Sequence, residues 1–207
     1  MTNMEREDGT TRDDLVQRVA LMEAMIAEGR RSTARWGWVF VMWGLIYFAA
    51  MAWVVFLPFK EWAWPVCVAF GIVVSVVKGR AQRANGRSES HRSRSIEAVW
   101  QIFGVAITLY IIGAITSHHV NLPAYNATIL FFVGMAHGTS ARILRWGAQG
   151  LAAAIWWACG IATFFFTRQN EMIAIFLIAS FFGMILFGVY AMWLERRRAA
   201  GMVQAHA

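Results

Sequence analysis

Six long apolar runs dominate the sequence and restrict the folds that are open to it. A membrane-spanning helix needs roughly 20 mostly apolar residues, and lipid leaves only helices or closed barrels with satisfied backbone groups. The composition agrees, because 58% of the 207 residues are hydrophobic against about 45–50% apolar residues in soluble domains. The sequence therefore predicts an all-α membrane protein of six transmembrane helices arranged as three hairpins, with spans at roughly 37–57, 62–77, 97–116, 124–144, 146–167 and 172–194.

The cationic residues are divided unevenly between the segments that connect these runs. When the runs are threaded back and forth, Lys60 and Arg168 fall on one side and 17 of the 19 Lys and Arg residues fall on the other. Positive residues in short loops stay in the cytoplasm, so both termini are predicted to be inside. The very short outer loops favour a bacterial cytoplasmic (inner) membrane. The 17 cytoplasmic cations are Arg6, Arg12, Arg18, Arg30, Arg31, Arg35, Lys78, Arg80, Arg83, Arg87, Arg92, Arg94, Arg142, Arg145, Arg196, Arg197 and Arg198.

The chain is predicted to have three parts. Residues 1–35 form a cytoplasmic arm, residues 36–195 form the transmembrane bundle with a cytoplasmic loop at 79–95, and residues 196–207 form a basic cytoplasmic tail. The net charge of +7 is explained by this topology and by anionic headgroups. Binding to nucleic acid is not expected, because no basic face with aromatic platforms stands outside the apolar runs.

A short amphipathic helix is predicted in the arm, at residues 12–28. Its apolar residues recur at spacings of four, three and four, which places them on one side of a helix. Acidic and basic residues are mixed on the opposite side, whereas a helix on a lipid surface is usually rich in Lys and Arg there. The pattern favours contact with a protein, and the docking stripe consists of Leu15, Val19, Met22 and Ile26.

The fourth run is the most polar of the six and is therefore expected to face the interior of the bundle. Gly134 and Gly138 stand four residues apart, a spacing that allows close approach of a second helix. Two interpretations stay open for this run, of which the first is favoured. It is either a central packing helix or the wall of a pore or pocket lined by Asn126, His137 and Ser140.

The sequence offers little for catalysis or metal binding. No charged residue falls near the middle of a run, which argues against a proton-coupled pump or a carboxylate enzyme. Gly138–Ala141 resembles the GxSx nucleophile motif of rhomboid proteases, but the sixth run contains no His that could act as the base. Cysteine and histidine spacings give no metal site. No catalytic residue, metal or cofactor is expected.

The expected function is that of a non-catalytic accessory, scaffolding or regulatory membrane protein that acts through its cytoplasmic arm and basic loop. The alternative is a facilitator or channel for a small solute with the fourth span lining the pathway, and a membrane enzyme ranks third. Expected partners are anionic headgroups at the cytoplasmic face and either a protein or a second copy of the chain. A continuous polar cavity through the bundle would favour transport, whereas a dry interior packed with Gly and aromatic residues would favour the accessory role.

Overall fold

The computed structural model describes residues 16–24, 27, 37–84, 91–117, 120–166 and 168–204. Within these residues the regular secondary structure is helical throughout, so the predicted all-α class is confirmed. A 3₁₀ turn at Lys60–Trp62 and a π-helical segment at Phe181–Leu186 accompany the α-helices. Residues 16–24 of the arm are helical, and the α-helices that follow are α1 (Gly37–Phe56), α2 (Ala63–Ala84), α3 (His91–Ser117), α4 (Leu122–Leu144), α5 (Gly147–Ala162), α6 (Gln169–Ser180) and α7 (Phe187–Gln204).

Five helical segments of the described chain are long and apolar enough to cross a membrane: Gly37–Phe56, Lys60–Ala81, Ser95–Ala114, Leu122–Leu144 and Gln169–Arg197. The last of these joins α6, the π-helical segment and α7 into one continuous helix. Helix α5 is apolar but has 16 residues, fewer than the roughly 20 of an ordinary span. The chain therefore has the helices of a multi-pass membrane protein.

Local sequence signals account for two of the helix starts. The side chain of Asn121 accepts a hydrogen bond from the Ala124 amide at 3.1 Å, and Pro123 occupies the first turn of α4, where its missing N–H is harmless. At the start of α6, the Glu171 carboxylate accepts a hydrogen bond from the Arg168 amide at 3.1 Å. Both helices thus begin with backbone donors satisfied by side chains.

Helices α4 and α5 pack closely as an antiparallel pair. A Cβ atom placed on Gly138 would lie 2.9 Å from Cη2 of Trp157, and one placed on Gly160 would lie 2.8 Å from Cε1 of Phe131. Phe131, early in α4, thus faces Gly160 near the end of α5, and Gly138, later in α4, faces Trp157, earlier in α5. This order of contacts is that of an antiparallel pair. This pair joins spans that belong to different predicted hairpins.

The turn between α4 and α5 is closed by a residue in the left-handed conformation. Arg145 has φ 50° and ψ 45°, and its amide donates to the carbonyl oxygens of Ala141 and Arg142. The Trp146 amide also donates to the Ala141 oxygen, at 3.0 Å. This is the usual way to satisfy the last carbonyl groups of a helix, although glycine normally takes this position. We refer to this side of the molecule as the turn end of the bundle.

Helix α1 lies against α7 and the π-helical segment. A Cβ on Gly37 would lie 2.7 Å from the Gly188 carbonyl oxygen and 2.8 Å from Cγ of Met192, and one on Gly44 would lie 3.2 Å from Cβ of Met184. Such backbone approach is typical of helix pairs in membranes, where small residues take the place of a hydrophobic driving force. It brings the backbones of α1 and α7 into close contact at Gly37 and Gly188.

The connection between α2 and α3 differs from the predicted loop at 79–95. Helix α2 continues to Ala84 and α3 begins at His91, so both helices extend into this basic segment. Adding residues to an existing helix costs much less than starting one, which explains why helical structure continues past the apolar runs. Residues 85–90 lie outside the described residues.

Candidate functional site

A histidine lies at the centre of the bundle, towards the turn end. His137 on α4 is fully buried, and three aromatic rings from α1, α3 and α7 surround it. The imidazole centroid lies 5.4 Å from Phe40, 5.0 Å from Trp100 and 5.5 Å from Phe187. Phe40 in turn lies 5.3 Å from Trp100 and 5.1 Å from Phe187. We call His137 and these three rings the His137 cage.

Within the part of the chain that the structure describes, ring contacts rather than hydrogen bonds hold the imidazole of His137. Neither ring nitrogen of His137 has a partner among the described residues. Leaving a buried donor or acceptor unpaired costs roughly 1–3 kcal/mol, so a packed aromatic environment is an expensive place for this side chain. Trp100 and Phe187 meet the imidazole edge to face and Phe40 meets it at a tilt, and none of the three rings is an acid or base that could exchange a proton with His137.

Two further polar side chains are buried at the turn end. Ser140, one turn beyond His137 on α4, and Gln149 in the first turn of α5 are both fully buried. The Ser140 hydroxyl and both polar atoms of Gln149 have no hydrogen-bond partner in the described part of the chain. Gln149 did not enter the sequence-based site, although a glutamine inside an apolar run is the same type of signal that singled out His137.

Asn126, the third residue predicted to line a pore, lies near the other end of α4. Its side-chain amide donates to the Met172 carbonyl oxygen of α6 at 3.4 Å. It therefore lies about three helical turns, or roughly 16 Å, from His137 along α4, and its hydrogen bond connects α4 to α6. The structure brings His137 and Ser140 near each other and leaves Asn126 apart from them.

Aromatic side chains also fill the half of the bundle away from the turn end. Tyr47 lies 5.6 Å from Phe176 and 6.0 Å from Trp64, and Trp64 lies 5.7 Å from Phe176. Trp156, which is fully buried, continues this cluster at 6.2 Å from Phe176. This cluster connects α1, α2, α5 and α6, as the His137 cage connects α1, α3, α4 and α7.

Two surface cavities are lined by other residues. One of about 600 Å³ lies between α1 and α2 and is lined almost entirely by apolar side chains. The other, of about 400 Å³, lies between α3 and α4 at Tyr110, Asn121 and Tyr125. Neither contains Asn126, His137 or Ser140, so the predicted pore residues do not share one of these cavities.

The two glycines predicted to pack helices both face one indole. A Cβ on Gly138 would lie 2.9 Å from Cη2 of Trp157, and one on Gly134 would lie 2.5 Å from Nε1 of the same side chain. Gly134 also lies close to Trp156, since a Cβ on Gly134 would stand 3.2 Å from Cβ of that side chain. The missing side chains of Gly134 and Gly138 thus make the surface on which Trp157 rests.

A second glycine–tryptophan contact escaped the sequence-based site. Gly183, within the π-helical segment, faces the indole of Trp156, whose Cδ1 would lie 2.7 Å from a Cβ at that position. π-helical turns are rare and often mark functional positions. Helical periodicity indicates which face of a helix is apolar but does not identify its partner, so this pairing had no sequence signal beyond a glycine and a tryptophan in separate runs.

The docking stripe of the arm is exposed where the structure describes it. Residues 16–24 are helical, and Val19 and Met22 are 50% and 48% exposed. Leu15 and Ile26 lie outside the described residues. Val16 and Leu21 are exposed as well, at 61% and 62%. The described part of the arm therefore presents apolar side chains that the bundle does not cover.

The described residues contain no group of three or more His, Cys, Asp or Glu side chains placed to hold a metal ion. Cys67 and Cys159 are both free thiols. Comparison of the chain with protein-family models, with curated proteins and with solved structures found no match.

Proposed function

We propose that the chain is a six-span protein of a bacterial inner membrane with both termini in the cytoplasm. The contact between Asn126 and Met172 supports six crossings. It places the start of α6 beside the start of α4, so the chain must return along α5 to reach it. At 1.5 Å per residue the 16 residues of α5 cover about 24 Å, and the turn that follows at 163–165 extends this path towards the roughly 30 Å of the hydrocarbon core.

Within this membrane position we propose an accessory role, in which the protein scaffolds or regulates a partner. The observation that carries this proposal is the aromatic packing of the bundle interior. The His137 cage and the cluster around Phe176 place packed aromatic rings between the helices, where a solute pathway through the bundle would have to run. Removing a solute from water requires polar groups that face a continuous cavity, whereas a scaffold needs only a rigid bundle and an accessible surface.

The cytoplasmic arm is the surface that we assign to the partner. Its exposed apolar residues, Val19 and Met22 among them, would each gain roughly 1.5–3 kcal/mol on full burial against another protein. The occupant is a protein partner or a second copy of this chain. The basic segments beside α2, α3 and α7 supply attraction to anionic headgroups and hold the arm at the membrane surface.

A facilitator for a small neutral solute is the second candidate. The observation in its favour is the set of buried polar groups on His137, Ser140 and Gln149 that have no hydrogen-bond partner among the described residues. Water or a solute would satisfy them if the bundle opened at the turn end. A membrane enzyme is ranked third, because none of these groups is placed beside a second group that would activate it.

The arm test separates these functions. Changing Val19 and Met22 together to Ser should release a co-purifying partner, or dissociate an oligomer, while the bundle melts as before. Two buried side chains of this size weaken an association by orders of magnitude. The matched control changes Arg12 and Arg18 to Glu, which should affect binding to anionic vesicles and leave protein docking nearly intact.

Two results would contradict the accessory role. One is a variant lacking residues 1–30 that keeps the same partners, oligomeric state and membrane contact as the parent protein. The other is rapid glycerol flux through the parent protein in liposomes, measured by light scattering, that Gln149→Leu abolishes. The second result would establish the facilitator instead.

A further inference from the structure

An apolar groove runs along the outside of the bundle between α1 and α2. Residues four apart on α1 line its length, and residues of α2 and α7 line its sides. The α1 residues are Val41, Leu45 and Ala49, and the others are Val66, Phe70 and Met192. The groove has a volume of about 600 Å³ and is open on one side. In a protein that spans a membrane, this opening faces the hydrocarbon region, so its occupant must be apolar over the same length.

The length of the groove matches a lipid chain. Its lining on α1 reaches from Trp38 to Ala49, and eleven steps of 1.5 Å give about 16 Å. That is roughly half of the 30 Å hydrocarbon core, or the depth of one leaflet. A transmembrane helix from a partner fits less well, because helix pairs in membranes favour small residues at the contact, whereas Leu45, Phe70 and Met192 are bulky.

A cation lies at one end of the groove. The Lys78 ammonium stands 4.6 Å from the centroid of the Trp38 ring, which is part of the groove wall. Within the described residues, Lys78 forms no ion pair with an acidic side chain. The stacking on Trp38 therefore holds the charge beside the groove and leaves its N–H donors open to an anion.

Further cations stand one turn beyond the groove on α7. Arg196 follows Met192 by four residues and so lies on the same face of the helix. The Arg197 guanidinium lies 4.1 Å from the centroid of the Trp193 ring. An acidic residue, Glu195, stands between Trp193 and Arg197 in the sequence. Lys78 is thus the cation in contact with the groove wall, and Arg196 lies one helical turn beyond it, at a level that the proposed topology assigns to the cytoplasmic headgroups.

We propose that this groove is a binding site for an anionic phospholipid of the inner leaflet. One acyl chain lies along Val41, Leu45 and Ala49, and the phosphate binds the Lys78 ammonium with Arg196 as a second cation. The site selects anionic over zwitterionic headgroups, because a headgroup with its own ammonium gains less from these cations. This inference rests on the membrane position in the proposed function and is independent of the docking of the arm.

The test is native mass spectrometry of the full chain in detergent with equimolar phosphatidylglycerol and phosphatidylethanolamine of identical acyl chains. The parent should retain one phosphatidylglycerol in preference to phosphatidylethanolamine. Lys78→Gln should lower this preference about fivefold, the value for one cation at a membrane surface. The matched control is Lys60→Gln, which removes the same charge from the opposite end of the bundle and should leave the preference unchanged.

A second pair of variants tests the groove itself. Leu45→Trp fills the groove and should expel the bound phosphatidylglycerol, whereas Leu109→Trp, at a similarly exposed position on α3, should retain it; the two leucines are 55% and 64% exposed. Both variants should melt like the parent. Equal retention of the two lipids by the parent overturns the proposal. So does an equal effect of Lys60→Gln and Lys78→Gln, or unchanged lipid retention in Leu45→Trp. None of these results affects the arm, whose failure would appear only as unchanged partner binding.

Discussion

The contact between Gly183 and Trp156 gives a quantitative test of the packing that fills the bundle. Trp156 is fully buried on α5, and Gly183 belongs to the π-helical segment that faces it. A Cβ on Gly183 would stand 2.7 Å from Cδ1 and 2.9 Å from Cε2 of the indole. Carbon atoms pack at about 3.5–4.0 Å, so the substitution Gly183→Ala must displace either the ring or the helix.

Two opposing effects set the size of the change. Overpacking a well-filled core costs typically 1–3 kcal/mol, whereas replacing a helical Gly by Ala gains roughly 0.5–1 kcal/mol. Trp156 cannot swing away into solvent, so overpacking wins at Gly183, and we expect Gly183→Ala to destabilise the protein by about 1–2 kcal/mol. The matched control is Gly104→Ala on α3, where a Cβ would meet nothing within 4 Å. Only the gain in helix propensity acts there, and the control should be neutral or slightly stabilising.

The assay is reversible unfolding of the purified protein in mixed micelles, followed by circular dichroism as the denaturing detergent is increased. A double-mutant cycle with Trp156→Phe isolates the contact, because the smaller ring lacks the pyrrole edge that the new Cβ would strike. Gly183→Ala should cost less in that background, with a coupling energy within the 0.5–3 kcal/mol seen for residues in contact. Equal effects of Gly183→Ala and Gly104→Ala, or an unchanged cost in the Trp156→Phe background, would refute the assignment of this contact.

Two further predictions concern α4 and α5. Gly134→Leu and Gly138→Leu should each lower the folded yield, because both would drive a side chain into Trp157. The control is Gly113→Leu, where a Cβ meets nothing within 4 Å, and this variant should accumulate like the parent. Equal yields for all three variants would contradict this packing. Gln149→Met should be neutral or stabilising by melting temperature, since it removes a buried unpartnered amide of similar shape. A clear loss of stability instead would show that Gln149 has a partner such as bound water, in favour of the facilitator.

The positions of most helices follow from the sequence because apolar runs are local signals. The predicted spans 37–57 and 124–144 differ by only one or two residues from α1, Gly37–Phe56, and α4, Leu122–Leu144. The predicted span 146–167 is longer than α5, which ends at Ala162. Hydropathy does not distinguish the turn at 163–165 from a helix, because the turn residues are as apolar as those of the helix before them.

The partners of the aromatic side chains could not be predicted in the same way. The position of a tryptophan near the end of an apolar run predicts an anchor in the headgroup region. Trp146 is instead buried against Phe187, at 5.3 Å between ring centroids, and Trp100 completes the His137 cage. Composition and depth are the same for an anchor and a core residue, and only the approach of a second helix decides between them.

The site residues show the same division between local and long-range information. Polarity within an apolar run predicts that His137 and Ser140 face inward, and both are fully buried. The pattern does not reveal that Asn126 bonds to α6, nor that Gln149 joins the buried polar residues from another helix. Those relations depend on the register of α4 against α5 and α6, which is set by close packing at glycines rather than by any short motif.

Cysteine labelling tests the central claim most directly, namely that the chain crosses the membrane six times with both termini inside. In a Cys67→Ser, Cys159→Ser background, single cysteines replace Lys60, Gln169, Gly86 or Ala205 in turn. A membrane-impermeant maleimide added to intact bacterial cells should label positions 60 and 169, and should reach positions 86 and 205 only after permeabilisation. Labelling of position 205 from outside with position 86 protected would mean that α5 does not cross the membrane, and the proposed topology would be wrong.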